Sequence, residues 1–310
     1  MKKKFITVFL ICFMICLNSY SVPLGYTDNV VGNFNVGSYA YGGTVDAEGN
    51  IYLGNRTTSL YKMTPQGDLS TFHTFPKNAI APVISGNYMY VGMRSGEIYK
   101  INMGNPSSST LFADFGKTIN DIKIAPDSWG GHANKLLVAS TSGVLHAFDQ
   151  NTAAVTAINN QSNIEYSSID FDLNGDIVAV RENDQQMDIV TPTGQVTTES
   201  MPFYSDGVAI HPGTGEKFFI DDRNNEIKRL DNNGQYSVFV DNLYFSGGWN
   251  PSFINFSTDG SILYYENQNT DTIHAITGFD SVSTSSEIPE LNTLSLLLFA
   301  ALIFILRKYR

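Results

Sequence analysis

The residues best suited to chemistry in this 310-residue chain are oxygen donors. Asp170, Asp172, Asn174 and Asp176 alternate through the segment DFDLNGD. Hard carboxylate and amide oxygens at that spacing suit a calcium loop. No bidentate Glu follows at the distance such a loop needs, and Asn174-Gly175 is also a favoured hairpin turn, so a turn reading stands beside the metal reading. The histidines His73, His132, His146, His211 and His274 form no HxxxH or HxH pair, so no zinc or iron site is spelled out. His146 and His274 hold matching places in strand-like segments, which suggests packing. His132 lies in a Gly-rich loop beside Trp129, where it can line a surface pocket. Trp129, Trp249 and the tyrosines are candidate platforms for sugar rings. No nucleophile elbow, Walker loop or dinucleotide fingerprint is present. Both cysteines, Cys12 and Cys16, fall in an apolar run near the start. The rest of the chain therefore has no disulfide, thiolate nucleophile or Cys-ligated metal.

The elements that must position these residues come from a repeat. Six segments share an apolar strand end, a Gly/Asn/Asp turn and a second strand rich in Ile, Val, Leu, Tyr or Phe. They begin at Val45, Val83, Ile124, Phe171, Ile210 and Phe256. The second strands start near Ile51, Tyr88, Leu136, Ile177, Phe218 and Ile262. Their spacing of roughly 40 residues is the period of a four-stranded propeller blade. A third strand follows in each unit, and Gly67, Gly194 and Gly234 sit where the next hairpin turn needs positive φ. Six units predict a six-bladed ring. The last unit lacks a fourth strand of its own, so the early segment from Val30 to Val36 is expected to complete it and close the ring.

The wording of the units resembles NHL and gluconolactonase-like propellers. The segment from Asp206, DGVAIHPGTGEKFFIDDRNNEIKRLDNNGQYSVF, is similar to an NHL unit, and DAEGNIYLG from Asp46 has the same stamp. The resemblance spans most of the chain. It implies that function sits in the central channel, where gluconolactonase-type enzymes hold a divalent cation with Glu, Asn and Asp. Residue by residue, Asp206 matches the family's Asp. The Asn position aligns with Ser167-Ser168, and the Glu position falls near Gly42.

The ends carry addresses. Lys2, Lys3 and Lys4 precede an apolar run from Phe5 to Leu17, and Ser19 and Ser21 suit a cleavage site, which is the signal-peptide pattern. At the other end a Ser/Thr spacer leads to Pro289-Glu290, the apolar stretch from Leu291 to Leu306, and the cations Arg307, Lys308 and Arg310. That stretch is just short of the roughly 17–25 residues usual for a spanning helix, and the cations favour a cytoplasmic end. Pro289, Glu290, the apolar helix and the basic cluster resemble a PEP-CTERM sorting tail, although Leu291 stands where the family's second proline belongs. The resemblance implies a bacterial surface protein and an exosortase-type processing enzyme as partner. Net charge is −11 for the chain and about −15 once the two end segments are set aside. Such a surface repels nucleic acid, which needs Lys and Arg to neutralise phosphates.

Together these features predict an all-β, six-bladed β-propeller at 22–280. It is flanked by a signal peptide at 1–21, a spacer and sorting motif at 281–290, and a transmembrane anchor with a basic tail at 291–310. The expected role is an exported, surface-anchored, non-enzymatic binding or matrix-associated protein, with extracellular polysaccharide or a surface protein as partner. The alternative is a metal-dependent lactonase-type hydrolase with a cation in the channel. No cofactor is required by the sequence. Calcium is the candidate metal, at Asp206 or at Asp172, Asn174 and Asp176.

Overall fold

The computed structural model describes residues 22–161, 164–243 and 253–281. Among them, 24 strands form six four-stranded antiparallel sheets arranged as blades. The innermost strands are Gly42–Val45, Ala79–Ser85, Ile119–Ile124, Tyr166–Phe171, Gly207–Ile210 and Ile254–Phe256. Each pairs with a second strand: Ile51–Gly54, Tyr88–Met93, Leu136–Ser140, Ile177–Arg181, Lys217–Asp221 and Ile262–Asn267. These starts match the repeat read from sequence, with a one-residue offset only in the fifth blade.

Burial explains why these segments are apolar runs. A second strand has its own sheet on both edges and a neighbouring blade on both faces. Leu136, Leu137, Val138, Ala139 and Ser140 are accordingly all buried. The third strands bury fewer residues; in Glu97–Asn102 only Ile98 and Ile101 are buried. Each fully buried aliphatic or aromatic side chain contributes roughly 1.5–3 kcal/mol. Some blade contacts are close enough to demand glycine. A Cβ on Gly54 would meet the Ile80 carbonyl oxygen at 2.2 Å, so only glycine lets blade 1 seat against blade 2.

The ring closes as expected, with a shifted strand. Thr27–Asn33 pairs antiparallel with Thr272–Thr277 and becomes the fourth strand of blade 6. The strand ends earlier than the predicted Val36 because Phe34 turns into the core and its N–H donates to the Asp271 carbonyl at 2.6 Å. Side chains lock the seam. Tyr265 Oη donates to Asp28 Oδ2 at 2.7 Å, and His274 bonds Asp28 through Nδ1 and Thr272 through Nε2.

Strand alternation gives the ring two faces. The upper face holds the connections between blades and the turns from second to third strands. The lower face holds the turns from first to second and from third to fourth strands. The predicted signal peptide, spacer, sorting residues Pro289, Glu290, Arg307, Lys308 and Arg310, and C-terminal anchor lie outside the described residues. Among the described residues no helix is long and apolar enough to cross a membrane.

Candidate functional site at the upper channel mouth

Blades 2, 3 and 4 share an irregularity at the upper end of the innermost strand. Register slips between Ala79 and Ala81, between Ile119 and Asp121, and between Tyr166 and Ser168. The extra residues are Ile80, Asn120 and Ser167. A bulge re-aims side chains and tightens twist, and here it sits at the rim of the channel. Asn120 and Ser167 line a narrow cavity with Tyr41 and Phe253 that holds only about 20 Å³, room for about one water.

Asp121, Lys123 and Ser168 line the same cavity. Phe253 packs in the core shared by blades 6 and 1 with Leu53 and Tyr264; a Cβ on Gly43 would lie 2.6 Å from its ring, so glycine at 43 makes the space. Blades 3 and 4 contribute a charged cluster. Asp121 Oδ2 accepts from Ser168 Oγ and from the Ile169 N–H, each at 3.0 Å. Asp170 Oδ2 accepts from the Ile210 N–H at 2.7 Å. Each carboxylate thus satisfies a backbone donor on the next blade, which would otherwise be left orphaned. Lys123 Nζ lies 4.0 Å from Asp170 Oδ1. Burial opposes the charge on Lys123, but Asp170 and Asp121 outweigh it and raise its pKa, while burial raises that of Asp121. An ammonium paired with Asp170 is the state consistent with this geometry.

A second group of carboxylates stands at the upper mouth, beside a larger cavity. There Glu165, just before the innermost strand of blade 4, faces Glu182, just after the second strand. The Glu182 N–H donates to the Glu165 carbonyl at 2.7 Å, and the two side chains hydrogen-bond to each other. Burial, then the Glu165 charge and that hydrogen bond, push Glu182 up to about 7, and Arg56 only partly offsets them. The Glu182 carboxyl therefore keeps its proton toward neutral pH. Asn120 Nδ2 donates to Glu165 Oε1 at 3.2 Å. A cavity of about 370 Å³ lies against the pair, lined also by Thr141, Ile164, Arg181 and Asp184. That volume suits a small molecule.

The pair is held from behind. Buried Asp188 takes the Arg181 Nε at 3.1 Å and Nη2 at 2.7 Å, and accepts from Tyr166 Oη at 2.6 Å. Arg181 precedes Glu182 and Tyr166 follows Glu165, and the two are cross-strand partners. One buried carboxylate thus fixes the backbone on both sides of the pair.

The residues singled out from sequence are placed apart. Asp206 lies on the upper face, buried at the start of Gly207–Ile210, with its N–H donating to Ile220. Asp172, Asn174 and Asp176 form the lower-face turn of blade 4. Asp172 Oδ1 accepts the N–H groups of Asn174 at 2.8 Å and Asp176 at 3.0 Å, the bonding of an Asx turn. Gly42 brings no side chain to the channel, and Ser167 Oγ is directed at the Val180 and Ser205 carbonyls. Among the described residues no three His, Cys, Asp or Glu side chains converge as a cation site requires. Of the three positions that the resemblance implies, only Asp206 brings a carboxylate or amide oxygen, so the donor set of a gluconolactonase-type metal is not complete there.

Other expectations are corrected by burial. Trp129 is no surface platform: it is buried beneath the lower-face turn and its indole N–H donates to the Gly175 carbonyl. Trp249 lies outside the described residues. His146 donates to the Val144 carbonyl at 2.9 Å and packs on Phe115, in keeping with a packing role. A larger cavity of about 700 Å³ lies on the lower face, beside the turn Asp46–Glu48. Asp46 there is occupied by its own turn, accepting from Glu48, Asn50 and Tyr52.

No known sequence family and no curated protein matches the chain. Solved structures do. Virginiamycin B lyase from Staphylococcus aureus is similar over 81% of this chain and 99% of its own, with a TM-score of 0.59 and 12% identity. A calcium-binding protein, regucalcin, from Agrobacterium tumefaciens has a TM-score of 0.63 at 16% identity, covering 83% of this chain and 97% of its own. A putative gluconolactonase has a TM-score of 0.63 at 12% identity, covering 83% of this chain and 93% of its own. At such identities the likeness establishes the fold, a six-bladed propeller of the architecture found in gluconolactonase-like proteins.

Proposed function

We propose that the chain is a small-molecule enzyme in which the Glu165–Glu182 pair at the upper channel mouth performs acid–base chemistry, with hydrolysis of a lactone-type ester as the first reaction class. The observation that carries this reading is the placement of Glu182 against Glu165 on one cavity, where burial and the neighbouring carboxylate push Glu182 up to about 7. A group poised near neutrality can both take and give a proton at working pH. In this reading the ionised oxygen of the pair takes a proton from water as the water oxygen bonds the acyl carbon. The pair's proton then goes to the ring oxygen as its bond to that carbon breaks, leaving a hydroxy acid. Asn120 orients Glu165, and the Asp188 clamp keeps the two carboxyls facing each other.

The similar solved structures include a lyase, a putative gluconolactonase and a calcium-binding protein, and these weigh toward an enzyme over a non-enzymatic surface binder. Because the donor set for a channel cation is not complete, no step is routed through one. The place of action is part of the proposal: export through the signal at 1–21 and retention by the tail at 291–310, with exosortase-type processing. Extracellular polysaccharide is then the neighbouring source of sugar-derived esters.

The test is turnover of a panel of aldonolactones and simple γ- and δ-lactones by the full chain, with and without chelator. Glu182→Gln is expected to lower kcat/KM about 100-fold or more, the usual scale of general acid–base catalysis. Hydrolysis that is unchanged in Glu182→Gln, or absent across the panel, would return the chain to the binding-protein reading.

A further inference from the structure

Blade 2 is built differently from its neighbours on the lower face. Ser85 pairs with Tyr88 and Asn102 with Asn105, so both of its lower turns are two-residue hairpins, Gly86-Asn87 and Met103-Gly104. Gly86 takes φ 55°, which so tight a turn requires. In the other blades every described lower turn is wider, as between Val45 and Ile51, Met63 and Leu69, or Phe171 and Ile177. Such wide turns spend a carboxylate on their own N–H groups, as Asp46 and Asp172 do. The Gly86-Asn87 turn spends no side chain.

The cavity of about 700 Å³ opens against these two tight turns. Gly86, Asn87, Met103 and Gly104 border it from blade 2, the Asp46–Glu48 turn from blade 1, and Thr258 from blade 6. A second cavity, of about 370 Å³, shares Asp46, Ala47, Glu48 and Thr258 and extends to Pro65 and Tyr264. Both volumes lie in the range of small-molecule sites. No Lys or Arg lines either cavity, while Asp46, Glu48 and Asp259 border them, so an anion is repelled. Asp46 and Asp259 are taken up by their own turns, which leaves Glu48 alone, too few oxygens for a metal ion. The side chains of Thr44, Glu48, Asn87 and Thr258 have no hydrogen-bond partner among the described residues. A purely apolar ligand would bury them unpaired.

We propose that this lower-face cavity is a binding site for a neutral saccharide, separate from the carboxylate pair at the upper mouth. Sugar hydroxyls both give and take hydrogen bonds. Thr44, Asn87 and Thr258 can do the same, and Glu48 can accept from two hydroxyls. Half-buried Val45, Ile84 and Met103 offer apolar surface to the C–H face of a pyranose ring. The second cavity gives a longer oligosaccharide room to continue past Glu48.

Titration calorimetry of the full chain with cellobiose, maltose, galactobiose and chitobiose, and with the anionic digalacturonate, reads the site without turnover. At least one neutral disaccharide is expected to bind with a Kd of about 1 mM or tighter, and digalacturonate at least tenfold more weakly. Asn87→Ala should cost about 3- to 10-fold, the scale of one hydrogen bond. Thr258→Trp fills the cavity from an exposed turn position and should abolish binding. Both variants should melt with the native chain, and Glu182→Gln should bind the sugar unchanged. No binding of any neutral disaccharide at about 10 mM, tighter binding of digalacturonate, or full affinity in both Asn87→Ala and Thr258→Trp would overturn the site. Loss of sugar binding in Glu182→Gln would place the sugar at the upper mouth and overturn it as well.

Discussion

The two faces of the ring use the same residue types to opposite ends. On the lower face, carboxylates sit in turns and collect backbone N–H groups. Asp231 accepts from Asn233 and Gln235, and Asp259 accepts from Ser257 and Ser261. These bonds hold both below the usual carboxylate range. On the upper face, burial dominates. Glu182 is pushed up to about 7, and burial raises Glu266 well above its ordinary value although the Ala40 N–H donates to it. Asp176 is the lower-face exception, raised by burial and by Asp172. A carboxylate that completes a turn stabilises the fold. One that is desolvated beside another carboxylate lowers stability and gains reactivity.

The contrast breaks most visibly at Asp188. Removing it leaves the Arg181 guanidinium buried without its bidentate partner, a loss of about 3–5 kcal/mol. Urea unfolding of Asp188→Ala checks this, and a loss under about 1 kcal/mol would mean the pair is held by something else. Glu182→Gln should act in the other direction. A carboxyl whose native pKa is raised keeps a proton that the unfolded chain has lost. Native stability therefore falls as pH rises from 4.5 toward about 7 and is level above that. After solvent screening the fall is about 2 kcal/mol. Unfolding curves across that window should show the slope in the native chain and a flatter profile in Glu182→Gln.

A smaller effect is expected at Asp259→Ala, about 1 kcal/mol for lost turn hydrogen bonds, with catalysis untouched. There the sign is reversed. A depressed pKa gives stability that is present above the ordinary carboxylate value of 3.8 and lost as pH falls below it. Smallest of all is the response to calcium. With Asp172 occupied by its own turn, millimolar calcium should leave the melting temperature of the native chain and of Asp172→Ala unshifted. A rise of several degrees, abolished by Asp206→Ala, would put a cation in the channel after all.

The blades were legible because each second strand is an apolar run that recurs with the period of a blade. Ring closure was legible because the last unit was one strand short. The turn at Asp172 was half legible: its alternating acids read as either metal loop or hairpin. The carboxylate pair was not. A regular hairpin through that turn, continuing the pairing of Phe171 with Ile177 and Ser168 with Val180, would set Glu165 opposite Asn183. The bulge at Ser167 slips the register by one, so that Tyr166 meets Arg181 and Glu165 meets Glu182. Nothing in the local composition announces a bulge, and two glutamates seventeen positions apart have no signature of their own.

The most direct measurement is a side-chain carboxyl NMR titration of the full chain with ¹³C-labelled glutamate. The raised Glu182 carboxyl predicts a resonance titrating near 7, missing in Glu182→Gln and moved down in Glu165→Gln. If no resonance that titrates near 7 is lost in Glu182→Gln, the upper mouth holds two independent acids and no acid–base centre.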